Sequence, residues 1–459
     1  MPVRPSVPWR ETAGVVVLGP DEQWQGMPTS QFCRVSCTIK ETPLAELQSA
    51  LRYLANYPHG CLEQTVSRIF PLVAADGILV SESPIPVKEL AGCINAGIRR
   101  VSSMVRKNNF VMWPDTDYEP WDREVSLYAA HFLVEAANCG KEVPAAAKSS
   151  VSRLLKKWSL EDDDGVSAYA CHTLALAGTP ERSRMFRLYD RRANLSLLDR
   201  ARLARAFARI GDGNRAETLL AGACAPASIK EAAFQVLALL DLHQCDKRLP
   251  AIITYLLDHR DKARLSWGTT AENAHALLAI GAYYRANPVV AGKERFAVWQ
   301  KLELDDVSTV KDESSDLSVR RRFFSPSGRE LRDGEIKRGD LLIVEIAVKC
   351  AQERDLADLI IEDPFAGAFE PVHSSVDAAL FAGFHNDEHS WVLRFDARDD
   401  KMLVYSKKFH IAKDGEVRFY YPLRAVSCGN FALPQVAVEA MYQPGLAARA
   451  GAGRIVLRD

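Results

Sequence analysis

Hydrophobic positions along the chain change their period twice. Near the N-terminus "AGVVVLGP" is a short apolar run closed by a turn signal, and "FCRVSCTIK" alternates, with Cys33, Val35, Cys37 and Ile39 on one face. Both read as strands. At Thr42 the period shifts. Thr42 followed by Pro43 is a helix start, a hydroxyl cap ahead of a proline in the first turn, and Leu44, Leu47, Leu51 and Leu54 follow at helical spacing. Tyr57, Pro58, His59 and Gly60 stop that helix, and Val66, Ile69 and Phe70 open another apolar stripe. Alanine- and leucine-rich segments then recur to about residue 286, among them "EVSLYAAHFLVEAANCG", "GVSAYACHTLALAG" and "IKEAAFQVLALLDLH". Gly140, Gly178 and Gly211 close several of them, and Thr269 with Glu272 forms a capping box at the head of the last. Helices apolar on more than one face are buried on two sides. Inner helices backed by more polar outer ones, an α/α toroid, fit this alternation best, and a linear solenoid is the other arrangement.

After "ANPVVAGKERF" the period returns to two. "GDLLIVEIAVKC" alternates Leu342, Val344, Ile346 and Val348, and "SWVLRFD", "KMLVYSKKFH", "GEVRFYYPL" and "ALPQVAVEAMY" follow. About seven such segments predict a β-sandwich. The fold class expected is therefore multidomain α and β, with an α/α toroid inserted between β elements and a sandwich after it.

Composition changes this picture little. A chain of 459 residues is too long for one core and suggests several domains. Hydrophobic and charged contents of 47% and 25% are those of a globular protein, and a formal net charge of -1 gives no reason to expect nucleic acid. No apolar run is long enough for a membrane-spanning helix, so no membrane contact is expected within this segment. "MPVRPSVPWRETAG" does not read as a signal peptide, which leaves a cytosolic protein or a piece of a longer secreted chain. The ten cysteines are scattered, without zinc spacing, and neither metal nor cofactor is expected. Cys33 and Cys37, about 13 Å apart along a strand, cannot bridge each other.

Chemistry concentrates in "YPHGCLEQTVSR", residues 57–68. Cys61 could be a buried small hydrophobe, a metal ligand with only His59 near it, or a nucleophile favoured by a helix N-terminus. A fourth reading pairs it with Gln64, three residues on, where side chains on a helical turn face each other. A thiolate there can attack the glutamine carboxamide, expel ammonia and store an acylating thioester, provided water is kept out.

"GCLEQ" resembles the thioester motif of the α2-macroglobulin and complement superfamily. The longer run "PLAELQSALRYLANYPHGCLEQTVSRIFPL" resembles the thioester region of the bacterial α2-macroglobulins. "WGTTAENAHALLAIGAYYR" is similar to the end of their thioester domain, and "LSVRRRFFSPSGRELRDGEIKRGDLLIVEIAV" and "FALPQVAVEAMYQPGLAARAGAGRIVL" to their last macroglobulin-like domain. The resemblance implies a CUB-like β flank at 1–40, a toroidal thioester domain at 41–290, a short second flank at 291–316 and a macroglobulin sandwich at 317–459. It implies a peptidase inhibitor rather than an enzyme, with Cys61 and Gln64 as the thioester pair. Attacking peptidases would be captured covalently through lysine or hydroxyl groups. The partners also include the N-terminal macroglobulin domains that precede this region in the family. The location implied is periplasmic or otherwise extracytoplasmic.

A stored thioester needs a dry cover. Tyr57 and Trp113 are candidates from the helical region, and Met441 and Tyr442 match the stretch by which the family's last domain faces the bond. Their bland readings are a helix-end anchor, a core tryptophan and a strand end. His59 is a candidate for proton transfer, against an ordinary loop histidine. Glu63 reads as a charge favouring the helix N-terminus, His172 as a satisfied core histidine, "EDDDG" as a solvated loop and helix start, and "SVRRRFF" as a strand with solvent-facing arginines. The competing functions are an α/α-barrel enzyme of prenyltransferase, cyclase or glycosidase type, and a docking module that never forms the thioester. The first needs acidic clusters on inner helices that are here mostly alanine, leucine and tyrosine.

Overall fold

The computed structural model describes residues 9–29, 33–57, 59–74, 78–107, 109–221, 226–262, 264–288, 295–304, 307–308, 310–372, 384, 391–443 and 445–459. Pro58, read above as a helix stop, lies outside the described residues. The chain divides into a mainly helical unit, Thr12–Pro28 with Val35–Lys301, and a β unit, Leu302–Asp459 with Met1–Glu11 and Thr29–Arg34.

Helices alternate between two rings. The inner ones are α2 (Leu62–Ala74), α4 (Arg123–Asn138), α6 (Asp164–Leu176), α8 (Leu197–Arg209), α10 (Ile229–Leu242) and α12 (Thr270–Ala286). Each packs on the next, and α12 packs back on α2, which closes the ring. The outer ones are α1 (Gln48–Asn56), α3 (Val87–Ser103), α5 (Ala145–Ser159), α7 (Arg182–Asp190), α9 (Gly213–Leu219) and α11 (Leu249–Asp258), each lying against inner neighbours. The closed order excludes the linear solenoid.

The amphipathic outer helices have one buried stripe, whereas α6 is buried along ten consecutive residues from Ser167 to Leu176. The first turn after Thr42 is a 3-10 helix, Pro43–Leu47, with the Thr42 hydroxyl accepting from the Leu44 N–H. At α3, Gly97 lets α2 approach closely, because a Cβ there would lie 2.2 Å from Ile69 Cδ1.

Strands β1 (Trp9–Leu18), β2 (Cys33–Lys40) and β3 (Arg295–Leu304) form one sheet in the order β1-β3-β2. The strand that follows the helices thus inserts between the two that precede them, which is what an insertion into one β structure requires. Gly14 admits the indole of Trp299, which a Cβ would meet at 2.4 Å. Ile39 is 46% exposed and departs from the buried face expected for it, because β2 loses its alternation towards its end.

In the β unit, a five-stranded sheet is built on Leu341–Cys350, paired with Glu416–Ala425 on one side and Leu317–Phe324 on the other. A six-stranded sheet runs through Val392–Ala397, Lys401–Ser406, Leu359–Pro364, Val436–Ala440, Ala447–Ala450 and Glu313–Ser314. Leu342, Val344, Ile346 and Val348 of the first share one core with Ile361, Val404 and Val438 of the second, the layout of a sandwich. Strands exceed the expected number because several, such as Glu330–Leu331 and Ile336–Lys337, are too short to show alternation.

"SVRRRFF" is a strand, but its arginines do not all face solvent. Arg321 shares the inward side with Leu317 and Val319, and its side chain is 4% exposed. It pairs with Asp363 and donates to the carbonyls of Pro434 at 2.6 Å and Gly451 at 3.0 Å. A charge on the core side persists only with such partners.

Candidate functional site

The inner helices begin in one way, with one exception. Asp122, Asp163, Ser196, Ser228 and Thr269 each stand at an N-cap with a side-chain oxygen accepting from the first turn of α4, α6, α8, α10 and α12 respectively. The "EDDDG" run thus supplies a cap through Asp163. At Thr269 the full reciprocal box is present, with Glu272 reaching back to the cap N–H. Before α2 the corresponding residue is Cys61. Its carbonyl accepts the first helical bond from the Thr65 N–H at 3.0 Å, as an N-cap carbonyl does.

Gln64 is the third residue of α2 and makes the returning half of such a box. Its Oε1 accepts from the Cys61 N–H at 3.2 Å. Only the oxygen of a carboxamide can accept, so this bond fixes which way the group points. Where the other caps carry an oxygen above the first turn, Cys61 carries sulfur. Cys61 is wholly buried and Gln64 is 3% exposed. The sequence therefore places a nucleophile type and a carboxamide in the geometry of a helix cap, inside the protein.

Surrounding residues hold that turn. The Leu62 N–H donates to the Met112 carbonyl at 2.9 Å, which brings the segment 110–113 against the start of α2. Trp113, the next residue, is buried at 5% exposure. The Thr65 hydroxyl donates to the Cys61 carbonyl at 2.7 Å, and Arg100 from the last turn of α3 donates to the Gly60 carbonyl at 2.7 Å. Tyr57 and His59 are half-buried and meet edge to face at 5.3 Å. Met441 and Tyr442 belong to the β unit, just after the strand Val436–Ala440, where the Met441 N–H donates to the Asp358 carbonyl at 3.3 Å.

Glu63 lies in the first turn of α2, but it does more than lend charge to the helix N-terminus. It is 2% exposed and turns into the ring. Ser67 and Thr270 donate to its two oxygens, the latter at 2.7 Å, and burial raises its pKa above the usual carboxylate value. Ser67 in turn meets the Tyr128 hydroxyl at 3.2 Å, and Tyr128 stacks on His275 at 4.8 Å. Further across the ring, Glu124 bonds Lys230 at 3.3 Å and Arg202, whose guanidinium lies 3.8 Å from the centre of the Tyr169 ring. These positive partners hold Glu124 down at about 2 against the cost of burial. The inner surface is thus packed with paired charges and rings. The alternating apolar pattern could not show this, although Glu63, Glu124 and Lys230 are each the second residue of an inner helix.

His172 is a core histidine but not a satisfied one: among the described residues neither ring nitrogen has a hydrogen-bond partner. Burial lowers the pKa of His131, His172 and His275, the last to about 3. The neighbouring charges are Glu135, Arg202, Arg205, Arg209, Lys230 and Glu124. Unfolded, each histidine titrates near 6.5. Below that pH the unfolded chain takes up protons that the fold refuses, so stability falls as pH falls from about 6.5 towards the folded values. Glu63 works in the opposite sense, since its raised pKa favours the fold as pH falls towards its unfolded value. Between pH 7 and 5, His275 alone should cost about 2 kcal/mol. Urea unfolding at the two pH values should show the loss, and His275→Phe should reduce it; an unchanged pH dependence in the variant would remove the histidine from this role.

A closed ring of inner and outer helices, with a cysteine–glutamine cap on one of them, and an antiparallel sandwich define the fold class, an α/α toroid followed by a β-sandwich. Residues 317–445 match the family described as Bacterial Alpha-2-macroglobulin MG10 domain. Alpha-2-macroglobulin of Escherichia coli (strain K12) is 22% identical over 96% of this chain, and that of Pasteurella multocida (strain Pm70) is 23% identical over 93%. The chain spans 31% and 26% of the lengths of these relatives. Native E. coli alpha-2-macroglobulin from domain MG7 to the C-terminus has the same fold, with a TM-score of 0.80 at 20% identity, covering 99% of this chain and 83% of that one. A Salmonella alpha-2-macroglobulin reacted with methylamine also scores 0.80 at 20% identity, over 99% of this chain and 34% of that one. Over these stretches the chain is similar to the C-terminal region of the bacterial alpha-2-macroglobulins. Among the described residues no helix is long and apolar enough to cross a membrane.

Proposed function

We propose that Cys61 and Gln64 close an internal thioester, and that the longer protein to which this region corresponds uses it to capture peptidases covalently. The carrying observation is the buried Gln64 carboxamide held on the Cys61 N–H at 3.2 Å. In formation, the Cys61 thiolate attacks Gln64 Cδ and ammonia leaves. In use, an amine or hydroxyl on the target attacks the same carbon, the C–S bond breaks, and the sulfur departs as thiolate and takes the proton. Acylating power is kept by exclusion of water. Tyr57, Trp113, Met441 and Tyr442 are the cover we propose, and His59 the candidate for moving the proton. On this reading the β flanks are 1–40 and 291–316, the thioester domain 41–290 and the macroglobulin domain 317–459. The protein works outside the cytoplasm, and it is an inhibitor that reacts once rather than a catalyst. Reaction of the Salmonella relative with methylamine, named above, is in keeping with this reading.

Against an enzyme of the toroid class, Glu124 is already engaged by Arg202 and Lys230, and Glu135 by Arg205. A docking module without the bond is the second reading, since a cap alone also accounts for the contact of Cys61 with Gln64. A biotinylated primary amine separates the two. Label mapped to Gln64, with a thiol appearing at Cys61, is the expected result; no label at Gln64 leaves only the cap.

A further inference from the structure

Arg100 stands outside the cysteine–glutamine pair yet touches the peptide that serves it. From the last turn of α3 its guanidinium donates twice to the Gly60 carbonyl, from Nη2 at 2.7 Å and Nε at 3.3 Å. The Thr65 hydroxyl reaches the same oxygen at 3.3 Å. That carbonyl and the Cys61 N–H are the two ends of one peptide unit, and the N–H is the group that donates to Gln64 Oε1. Drawing charge onto the carbonyl oxygen of a planar, resonant peptide makes its N–H a stronger donor. The line therefore runs from the cation, through one peptide bond, to the oxygen on the reacting carbon. Gln64 Oε1 here stands for the acyl oxygen that the thioester would retain.

We propose that Arg100 is a positioning residue for acyl transfer at Gln64. It charges the Gly60–Cys61 peptide so that the Cys61 N–H stabilises the negative oxygen formed when an amine adds to the acyl carbon. This deepens the thioester reading and rests on it. The step needs no other reagent: the amine nitrogen bonds to Cδ, the carbonyl electrons move to oxygen, and on collapse the C–S bond breaks and sulfur takes the proton released by the amine. A donor of this kind acts on rate because its bond strengthens as charge develops on the oxygen. The site at the head of α2 supplies the N–H, and Arg100, on an exposed stretch of another helix, sets its strength.

An oxyanion donor is worth about a hundred- to a thousandfold in rate, and cooperative strengthening is roughly 10–30% per bond. Removing the cation should therefore slow amine uptake about two- to eightfold. The test compares wild type, Arg100→Gln and Arg100→Lys by intact mass, second-order rate of methylamine incorporation, and the infrared band of the thioester carbonyl. Arg100→Gln should still lose ammonia, react more slowly and show its carbonyl band at higher wavenumber, because the bond to oxygen is weaker. Arg100→Lys, which keeps a cation, should recover most of the rate and the band position. A residue needed only for packing would shift the melting temperature and leave the band where it was. Equal rates and band positions in all three would overturn the proposal while wild type still takes up amine. No uptake by wild type would instead overturn the thioester reading itself. Should Arg100→Gln fail to fold, a rate and band position for Arg100→Met equal to those of wild type would overturn it in the same way.

Discussion

Cys61→Ala will leave the helical unit folded and abolish incorporation of methylamine at Gln64. The substitution removes one buried heavy atom, a loss of about 1 kcal/mol. Alanine keeps the backbone N–H, so the 3.2 Å bond to Gln64 Oε1 and the start of α2 survive. What disappears is the sulfur that would make Gln64 an acyl donor, and an ordinary carboxamide does not react with amines under mild conditions. Helical circular dichroism and the melting temperature check the fold, and peptide mapping after amine treatment checks the chemistry. Label at Gln64 in the variant would mean that the acyl group is activated by something other than Cys61.

Asp363→Ala will destabilise the β-sandwich by about 3–5 kcal/mol, the cost of leaving a buried charge without its partner. The side chains of Arg321 and Asp363 are 4% and 1% exposed. The carboxylate also accepts from the Tyr421 hydroxyl at 2.5 Å, and burial beside it raises the Tyr421 pKa well above the usual phenol value. Without Asp363, Arg321 keeps the neutral carbonyls of Pro364, Pro434 and Gly451 but loses its carboxylate, and Tyr421 loses this acceptor. Hydrogen exchange across the strand Glu416–Ala425 during denaturant titration would measure the loss. The double change Arg321→Leu with Asp363→Leu should cost less than Asp363→Ala, because it removes the orphaned charge. A single-variant effect within about 0.5 kcal/mol of wild type would place this pair among interactions that solvent replaces easily.

Much of the architecture is legible because it rests on period. A shift from two to 3.6 and back marks where helices replace strands, and apolar residues on several faces mark those that form the inner ring. The three-stranded sheet is less legible: nothing local says that β3 inserts between β1 and β2 after the whole helical region. Charge placement is the least legible part. Glu63 reads as a charge favouring a helix N-terminus, yet Ser67 and Thr270 draw it inside, and Thr270 lies far away in sequence. Arg321 sits in register with Leu317 and Val319, so its inward direction was available from alternation, but Asp363 as its partner was not. At the candidate site the motif names Cys61 and Gln64 directly. Arg100 carries no local signal, because its role arises from α3 lying across the turn before α2.

The sharpest test is the intact mass of the purified chain, taken under denaturing conditions without heat. A mass below the sequence mass by one ammonia, which methylamine then raises by its own mass while a thiol appears at Cys61, is the predicted result. A mass equal to that of the sequence, with the Cys61 thiol titratable from the start and no change on adding methylamine, would contradict an internal thioester.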